Sequence, residues 1–511
     1  MSENGQVWIA GAGPGDAALI SRKVMQLFGI CDVVVYDALV SAEILSLIPQ
    51  DTEKIDAGKR ADKHTKEQEE INHLLVELAL AGKRVLRLKG GDPFLFGRGA
   101  EEAEALKNAD IEYEIVSGIT SAIAVPAYAG IPVTHRDYVS SLHIITGQLK
   151  KNGEDATDYK SIVKLKGTLL FLMAVANLET ICERLIAAGM RKDMPAAVVE
   201  KGTLASQRKV ISDISNIAKE TRANQIKPPA ILVVGEVCTL SETLEWNHKK
   251  PLSRKQVLVT RPQSGDSILA EKLRQQGARV IEFPTIKTKT ILPNTEFEKA
   301  MQQFGRFEKE WIVFTSAVGV EAFFENLKQR QEDIRTIIGK SPKVQFAVVG
   351  QTTKNALEQR GMIADCMPKK YAAKYLGETL AAVSDEDTGI YLFRAKEASG
   401  EILKELEKHK IAFYDIALYE TKSTVDKALQ EKVKELLQNK EIDCITVTST
   451  SCVKGFVSSF DKELYKEVPA LCIGTSTREE AEKCNWAHIT AKEATLDSMV
   501  EALIQTGGKD K

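Results

Sequence analysis

The sequence predicts a protein of the α/β class with several domains. Short apolar, β-rich runs such as QVWIAGAG, DVVVYD and AILVVG alternate with amphipathic stretches along the chain. That alternation is typical of helices packed on largely parallel sheets. The length of 511 residues exceeds what one hydrophobic core supports, so we expect two to four domains. A repeat within the second half is the third observation that favours this class.

The composition excludes several kinds of function. The chain has 69 Lys and Arg residues against 71 Asp and Glu residues, so neither nucleic acid nor a membrane surface is a predicted partner. The eight cysteines show no C-x-x-C spacing and the seven histidines no H-E-x-x-H motif, which predicts reduced thiols and no metal site. The first residues do not resemble a secretory signal, and no apolar run approaches the ~20 residues of a membrane span. We therefore expect a cytoplasmic protein.

A polar, basic segment divides the chain. The segment 246–254, WNHKKPLSR, follows the apolar run AILVVGEVCTL and contains a proline. We place a linker there, between a first part at 1–245 and a second at 255–511.

The second part repeats itself. VLVTRPQSGDSILAEKLRQQG resembles YLFRAKEASGEILKELEKHK, and WIVFTSAVGVEAFF resembles DCITVTSTSCVKGF. This duplication predicts two related α/β lobes. In both copies a Thr-Ser pair stands between a strand and a helix, at Thr315 and Ser316 and at Thr448 and Ser449. These hydroxyls either only cap the helices or help helix N-termini bind an anionic ligand, and both readings remain open.

A glycine-rich loop follows the first predicted strand. VWIAGAGPGDAALIS places Gly11, Gly13 and Gly15 around Pro14. The loop lacks the Gly-Lys-Ser/Thr of a Walker loop. Pro14 has no N–H for a pyrophosphate, and no acidic residue closes a clear second strand about 20 residues later. A nicotinamide dinucleotide is therefore disfavoured but remains an alternative.

A second stretch, RLKGGDPFLFGRGAEEAEAL at 87–106, carries more chemistry. Gly90 and Gly91 permit close approach of the backbone to a ligand. Asp92 can accept a hydrogen bond from a hydroxyl or an ammonium group. A turn explains the glycines, but not so many special residues in so few positions, so the stretch predicts a ligand site.

The first part resembles a known family. GAGPGD, VVYDALVS, GKR, RLKGGDPFLFGRGAEE, SGITSAIAVPAYAGIPVTHRD and PPAILVVGEV, in this order, are similar to the uroporphyrinogen-III C-methyltransferases of the tetrapyrrole methylase family over residues 5 to about 240. The resemblance implies two α/β domains, at about 1–116 and 117–245, with S-adenosylmethionine in the cleft between them. It implies cofactor contacts at Pro14, Gly90, Gly91, Asp92, Leu95, Thr120, Ser121, Met173, Gly202 and Ala230.

The same resemblance implies roles for four charged residues. Asp37 is the candidate base and Lys59 the candidate proton donor, although the residues alone favour a helix cap and a surface lysine. The implied substrate, uroporphyrinogen III, carries eight carboxylates, for which Arg98 and Arg136 are the candidate contacts. Either arginine is also compatible with a plain surface charge.

The second part resembles the uroporphyrinogen-III synthase family, through VLVTRP, VFTSAVGVEAFF, AVVGQTT, ALYET and VTSTSCVKGF. The resemblance implies a two-lobed α/β fold, with lobes at 255–287 plus 423–507 and at 290–420. It implies closure of linear hydroxymethylbilane with loss of water, a reaction in which the protein chiefly shapes the substrate. Tyr419 is the candidate for assisting hydroxyl departure, with core packing as its alternative. The candidates for binding substrate carboxylates are Thr315, Ser316, Ser449 and Thr475.

Together the two resemblances predict a bifunctional enzyme. The synthase product is the methyltransferase substrate, so one chain would make uroporphyrinogen III and methylate it twice to precorrin-2, for sirohaem or cobalamin. Two alternatives stay open: a second part that senses a ligand without catalysis, and a methylase that acts on a later corrinoid precursor. Because methyltransferases of this family are usually dimers, we expect a homodimer.

Overall fold

The computed structural model describes residues 5–58, 68–148, 157–261 and 267–507. The chain divides into two compact units. Unit 1 comprises Met1–Pro284 and Val425–Lys511, and unit 2 comprises Thr285–Thr424. Over the described residues, unit 1 contains three five-stranded sheets and unit 2 contains one.

The first sheet of unit 1 is parallel throughout. Its strands are β1 (Val7–Gly11), β2 (Val33–Tyr36), β3 (Glu53–Asp56), β4 (Val85–Lys89) and β5 (Tyr113–Val116), in the order β3-β2-β4-β1-β5. The helices between them are α1 (Arg22–Phe28), α2 (Ala42–Leu45), α3 (Gln68–Leu80) and α4 (Gly99–Asn108). Strands β1, β2 and β4 are buried at every position. This burial explains the continuous apolar sequences of β1 and β2.

The second sheet is mixed, unlike the expected parallel sheets. Its strands are β6 (Leu142–Thr146), β7 (Thr168–Leu172), β8 (Pro195–Glu200), β9 (Arg208–Asp213) and β10 (Ala230–Val234), in the order β6-β7-β10-β8-β9. Its helices are α5 (Ser121–Tyr128), α6 (Tyr159–Lys164), α7 (Leu178–Ala187) and α8 (Ile217–Ala223). Only the β6–β7 pairing in this sheet is parallel. The others are antiparallel because β8 and β9 form a hairpin and β10 runs against both β7 and β8.

The segment 246–254 is packed at both ends. The indole N–H of Trp246 donates to the carbonyl oxygen of Ala127 at 3.0 Å. Leu252 is fully buried in the core of the third sheet. That sheet begins with β11 (Gln256–Val259), α9 (Ile268–Gln275) and β12 (Arg279–Glu282).

Unit 2 follows as an insertion between β12 and the rest of the third sheet. Its strands are β13 (Ile286–Thr290), β14 (Lys309–Phe314), β15 (Gln345–Val348), β16 (Thr388–Ala395) and β17 (Ala412–Ser423), in the order β13-β17-β16-β14-β15. Its helices are α10 (Thr295–Gln303), α11 (Ala317–Gln329), α12 (Ile334–Lys340), α13 (Gln351–Gln359), α14 (Ala373–Val383) and α15 (Glu401–Lys408). Phe323 lies at the centre of an aromatic core, 5.4 Å from Phe314 and 4.8 Å from Phe393 between ring centroids.

The chain then returns to unit 1 and completes the third sheet. The added strands are β18 (Cys444–Val447), β19 (Ala470–Cys472) and β20 (His488–Thr490), and the order is β12-β11-β18-β19-β20. The added helices are α16 (Lys427–Gln438), α17 (Thr450–Val457), α18 (Lys462–Tyr465), α19 (Thr475–Lys483) and α20 (Leu496–Gly507). Strands β11 and β18 pair in parallel, with Val257 opposite Cys444, so two distant segments of the chain build one lobe.

Candidate active site

Two glycine loops meet at the carboxyl edge of the first sheet. Strand β1 ends at Gly11 and β4 ends at Lys89, and these two residues are paired neighbours. Gly13 and Gly91 exchange backbone hydrogen bonds of 3.1 and 2.7 Å. A β-carbon at Gly11 would lie 2.4 Å from the carbonyl oxygen of Gly91, so the close approach of these loops requires glycine there.

The backbone amides of the first loop are already engaged. The N–H of Ala12 donates to the carbonyl oxygen of Lys89 at 2.7 Å, and that of Gly13 donates to Gly91. Pro14 has no N–H. A dinucleotide fingerprint uses free N–H groups of this turn for the pyrophosphate, so residues 12–14 do not offer that chemistry.

A cavity of about 860 Å³ opens beside the two loops. Its volume is in the range of sites that hold cofactors and drug-sized ligands. Besides the glycine loops, the wall includes the end of β7, the loop of the β8–β9 hairpin and the start of β10. Its apolar lining includes Leu172, Val175, Val199, Leu204 and Ile231.

Seven of the ten residues predicted to contact a cofactor line this cavity. They are Pro14, Gly90, Gly91, Ser121, Met173, Gly202 and Ala230. Met173 has a φ of +57° and is 42% exposed. It is therefore a wall residue rather than the core filler that its residue type favours.

The other three predicted cofactor residues shape the loops around the cavity. The carboxylate of Asp92 accepts backbone N–H groups from Phe94 at 2.8 Å and Gly118 at 3.0 Å. Thr120 caps α5 by accepting the N–H of Ala122 at 3.3 Å. Leu95 is partly buried and packs against the core of the second sheet.

Asp37 directly follows β2 and lies in a network of buried charges. Its carboxylate binds the guanidinium of Arg87, and the Nζ atom of Lys89 is 3.9 Å from its second oxygen. One oxygen of Glu102 accepts from both Arg87, at 3.0 Å, and Lys89, at 2.6 Å. Burial is the main cause that lowers the pKa of Lys89, and the positive charge of Arg87 lowers it further.

This network leaves one face of Asp37 open. The side chains of Arg87, Lys89 and Glu102 are at most 3% exposed, whereas that of Asp37 is 28% exposed. The network was not predicted from the sequence, although two cations in the otherwise apolar strand VLRLK were a usable signal. Lys59, the predicted proton donor, lies outside the described residues.

The turn after Asp37 forms part of the cavity wall. Residues 38–42 all line the cavity. The hydroxyl of Ser41 donates to the carbonyl oxygen of Gly15 at 2.7 Å and accepts the N–H of Ile44 at 3.2 Å, which caps α2. These bonds tie the turn to the first glycine loop.

The two arginines predicted to bind substrate carboxylates are exposed and do not line the cavity. Arg98 has a φ of +60° and binds the carboxylate of Glu101 at 2.6 Å. Arg136 lies on the surface in the turn after α5.

The structure places the candidate synthase residues in two groups. In unit 2, the hydroxyls of Ser316 and Tyr419 are 2.8 Å apart, and Ser316 caps α11 by accepting the N–H of Gly319. Thr315 directly precedes Ser316 and is half-buried. Burial raises the pKa of Tyr419, so its hydroxyl is a hydrogen-bond donor at neutral pH.

The other two candidates belong to unit 1. Ser449 caps α17 by accepting the N–H of Cys452 at 3.2 Å. Thr475 is the exposed first residue of α19. They follow the adjacent parallel strands β18 and β19, so both lie at the carboxyl edge of the third sheet.

Several lining residues of the cavity come from the C-terminal part of the chain and were not predicted. They are Gln256, Arg279, Lys432, Glu435, Leu436, Asn439 and Glu441. Because α16 has an ordinary amphipathic sequence, it carried no motif that marks its polar face as the wall of a site.

A second cluster of charges joins the first glycine loop to β12. Arg279 binds the carboxylate of Asp16, and the hydroxyl of Tyr128 donates to Asp16 at 2.7 Å. Glu43 is 5% exposed, accepts the N–H of Val280 at 3.5 Å and is 3.9 Å from Arg274. Burial raises the pKa of Glu43 to about 7. The charges of Arg279 and Arg274 lower this pKa, whereas the charge of Asp16 raises it further.

The raised pKa of Glu43 predicts a pH dependence of stability. The folded chain retains a proton that the unfolded chain releases near the ordinary pKa of 4.5, so this group stabilises the fold below that pH. Its contribution is lost as the pH rises through about 7. We expect Glu43→Gln to be more stable than the wild type at pH 8, by on the order of 1–3 kcal/mol, and less different from it at pH 5 in urea unfolding.

The exposed carboxylate of Glu112 provides the control. Glu112→Gln is expected to follow the wild type at both pH values. Parallel pH profiles for the wild type and Glu43→Gln would contradict a buried, protonated Glu43.

No helix within the described ranges combines the length and the apolar character that a membrane span requires. Among those same residues, no three His, Cys, Asp or Glu side chains are grouped so that they could hold a metal ion.

The fold and the cavity define an α/β protein that has a small-molecule site beside its N-terminal glycine loops and a duplicated α/β module in its second part. Two family models match these parts. The model described as Tetrapyrrole (Corrin/Porphyrin) Methylases matches residues 6–218, and the model described as Uroporphyrinogen-III synthase HemD matches residues 267–501.

Curated relatives agree with this division. A porphyrin biosynthesis protein HemD from Ruminiclostridium josui is 41% identical, over 99% of this chain and 99% of its own. A uroporphyrinogen-III C-methyltransferase from Bacillus subtilis is 40% identical, over 71% of this chain and 73% of its own. A siroheme synthase from Acinetobacter baylyi is 49% identical, over 47% of this chain and 53% of its own.

The chain therefore belongs to the family of tetrapyrrole biosynthesis proteins that join a tetrapyrrole methylase to uroporphyrinogen-III synthase HemD. It is a bifunctional enzyme with a methyltransferase part and a synthase part. The predicted families and the α/β fold class are confirmed.

Proposed function

We propose that the chain closes hydroxymethylbilane to uroporphyrinogen III and then transfers two methyl groups to that product from S-adenosylmethionine, giving precorrin-2. The main observation behind this proposal is the cavity of unit 1, which is lined by the first glycine loop and by the turn that follows Asp37. The backbone N–H groups of Ala12 and Gly13 in that loop are already hydrogen-bonded within the protein. The C-methyltransferase relative supports the second reaction, and the synthase family model supports the first. The siroheme synthase relative supports sirohaem as the end of the pathway, and cobalamin is the alternative.

The cavity residues fit S-adenosylmethionine better than a dinucleotide. When bound, this cofactor supplies an electrophilic methyl group on a sulfonium centre. The apolar residues Leu172, Val199 and Ile231 suit an adenosyl group, and Gly90 and Gly91 line the cavity without side chains that would fill it. The absence of free amides at residues 12–14 costs nothing here, because no pyrophosphate has to be bound.

Asp37 is the proposed general base for methyl transfer. The pyrrole carbon forms a bond to the methyl carbon as the carbon–sulfur bond breaks, S-adenosylhomocysteine leaves, and the pyrrole N–H proton passes to the base. Arg87 holds one oxygen of Asp37, while the open face of the carboxylate remains accessible to the ring. Lys59 is the proposed proton donor.

Cationic side chains outside the cavity are proposed to bind the substrate periphery. Uroporphyrinogen III has eight carboxylates, and guanidinium groups bind carboxylates in a bidentate manner. Arg98 and Arg136 are exposed to solvent, which suits contacts at the rim of a macrocycle rather than with the cofactor.

Tyr419 is proposed to assist loss of the hydroxyl group during ring closure. Its protonated phenol, held 2.8 Å from the hydroxyl of Ser316, is able to donate a hydrogen bond to a departing hydroxyl. The proposed contacts with substrate carboxylates are Thr315, Ser316, Ser449 and Thr475, through hydroxyls and helix N-termini.

The role of Tyr419 predicts a modest kinetic effect. Tyr419→Phe is expected to slow cyclisation about 3–10-fold, the loss of one neutral hydrogen bond, with methylation of added uroporphyrinogen III unchanged. The matched control is Tyr414→Phe on the same strand, where the ring stacks on Tyr391 at 4.8 Å. Equal cyclisation rates for both variants would remove Tyr419 from the mechanism.

One assay tests the proposed function as a whole. Purified protein is incubated with hydroxymethylbilane and S-adenosylmethionine, and the products are separated by chromatography. We expect precorrin-2. Formation of only uroporphyrinogen I or its methylated derivatives would reject the synthase assignment, and unmodified uroporphyrinogen III would reject the methyltransferase assignment.

The assembly and the boundaries are also proposals. We expect a homodimer by light scattering, and two catalytic parts at 1–245 and 255–511 joined by 246–254.

A further inference from the structure

Helix α16 of the synthase part lies against the methyltransferase part within unit 1. At its start, Asp426 binds Lys54 at 2.8 Å, and both side chains are at most 10% exposed. Just past its end, the carboxylate of Glu441 accepts from Lys201 at 2.5 Å and from Ser206 at 3.0 Å. Two buried or half-buried polar contacts thus fix the two ends of the helix.

The middle of the same helix reaches the cavity. Lys432 and Glu435 line it, and Lys432 is half-buried. The ammonium group of Lys432 donates to the carbonyl oxygen of Ala38 at 2.8 Å. Ala38 is the residue directly after Asp37, so a cation of the synthase part holds the turn that carries the proposed base.

Further contacts fix the same turn. A β-carbon at Gly58 would lie 2.4 Å from the backbone nitrogen of Ala38, and one at Gly90 would lie 2.8 Å from the side chain of Leu39. The backbone nitrogen of Asp37 itself donates to the carbonyl oxygen of Leu88 at 3.1 Å. The turn is therefore packed against Gly58 and Gly90 and is also bound by Lys432.

We propose that Lys432 is a positioning residue for methyl transfer, through which the synthase part completes the methyltransferase site. Its ammonium group fixes the carbonyl of Ala38, which lies in the cavity wall, and thereby the backbone that orients the neighbouring carboxylate of Asp37. This inference rests on the proposed methyl transfer reaction. It assigns to the synthase part a role in the other activity of the chain.

The test uses the full chain and uroporphyrinogen III as substrate. For Lys432→Met, which keeps the length but removes the donor, we expect kcat of methyl transfer to fall about tenfold, the loss expected for one charge-assisted hydrogen bond. The Kd of S-adenosylhomocysteine in calorimetry and the rate of cyclisation are expected to stay within about twofold of the wild type. Lys432→Arg, which keeps a cationic donor, is expected to recover most of kcat.

Two control variants distinguish a positioning role of Lys432 from a general effect of weakening the attachment of helix α16. Asp426→Asn weakens the ion pair with Lys54 but keeps an oxygen to cap α16, and it is expected to lower the unfolding temperature without lowering kcat. Lys427→Met removes an exposed cation from the same helix and is expected to behave as the wild type. Circular dichroism and S-adenosylhomocysteine binding verify that Lys432→Met is folded.

The outcomes distinguish this inference from the proposed function. If the wild type methylates uroporphyrinogen III and Lys432→Met does so with unchanged kcat, or if Asp426→Asn loses as much kcat, only the inference is wrong. If Lys432→Met proves unfolded, the milder Lys432→Gln takes its place with the same expected split between kcat and binding. A wild type that binds S-adenosylhomocysteine yet methylates no uroporphyrinogen III would overturn the proposed reaction and this role with it.

Discussion

Replacement of Asp37 by Asn is expected to slow methyl transfer by about 10²–10⁴, the contribution of a positioned general base, and to leave cyclisation at the wild-type rate. Asparagine has the same shape and still accepts a hydrogen bond from Arg87, but it does not take up the pyrrole proton. The fold is expected to survive, because Arg87 and Lys89 both keep their bonds to Glu102. The measurement is a single-turnover methylation assay beside a cyclisation assay on the same preparation.

Strand β2 offers a matched control at its other end. Asp32 directly precedes β2 and pairs with Arg84 at 2.7 Å, and this partner lowers the pKa of Asp32 to about 2. Asp32→Asn removes the same charge from a surface ion pair, and it is expected to keep both activities. Equal loss of methylation and cyclisation in Asp37→Asn would identify Asp37 as a folding residue instead.

The sequence predicted the elements of the fold better than their pairing. Each repeated motif forms the same unit twice: WIVFTSAVGVEAFF gives β14 and α11, and DCITVTSTSCVKGF gives β18 and α17. Local periodicity carries that information. It does not tell a buried antiparallel strand such as AILVV from a parallel one, because both read as continuous apolar runs. The mixed second sheet was therefore not foreseen.

The candidate site was predictable where a motif marks it. The glycines of GAGPGD and RLKGGDP line or shape the cavity, since a close approach of two loops restricts the residue type and leaves a visible pattern. Arg87 and Glu102 were missed, because an ion pair between a strand and a helix depends on tertiary contacts that no local spacing encodes.

The part of the cavity wall that α16 and β12 supply was also not predictable from local sequence, because its contacts join residues that are far apart in the chain. Lys432 contacts Ala38 across nearly four hundred residues of sequence, and Arg279 reaches Asp16 in the same way. In the sequence, Lys432 belongs to an ordinary amphipathic segment and Arg279 to the start of a strand, and no local motif marks either of them. Only the packing of the third sheet beside the first identifies them as wall residues, which is why their roles had to be inferred from the structure.

Replacement of Phe323 by Ala is expected to destabilise unit 2 by about 3–5 kcal/mol, the range for removing a buried aromatic side chain. Phe323 is fully buried and contacts the rings of Phe297, Phe314 and Phe393. Because unit 2 is a compact unit of its own, we expect its destabilisation to reduce the cyclisation activity. Methylation of added uroporphyrinogen III, which depends on the cavity of unit 1, is expected to persist at temperatures where cyclisation has failed.

A substitution at the neighbouring Phe324 is the control that shows whether the destabilisation is confined to unit 2. Phe324 is only half-buried and lies 5.2 Å from the guanidinium of Arg360, so Phe324→Ala removes the same side chain from the same helix at a smaller cost. Calorimetry on the two variants is expected to show a large and a small downward shift of one transition, with a second transition unmoved. The two activities would then fail at separate temperatures in Phe323→Ala. Loss of both at one temperature would mean that unit 2 and the methyltransferase cavity unfold together, and that the aromatic core around Phe323 stabilises the whole chain.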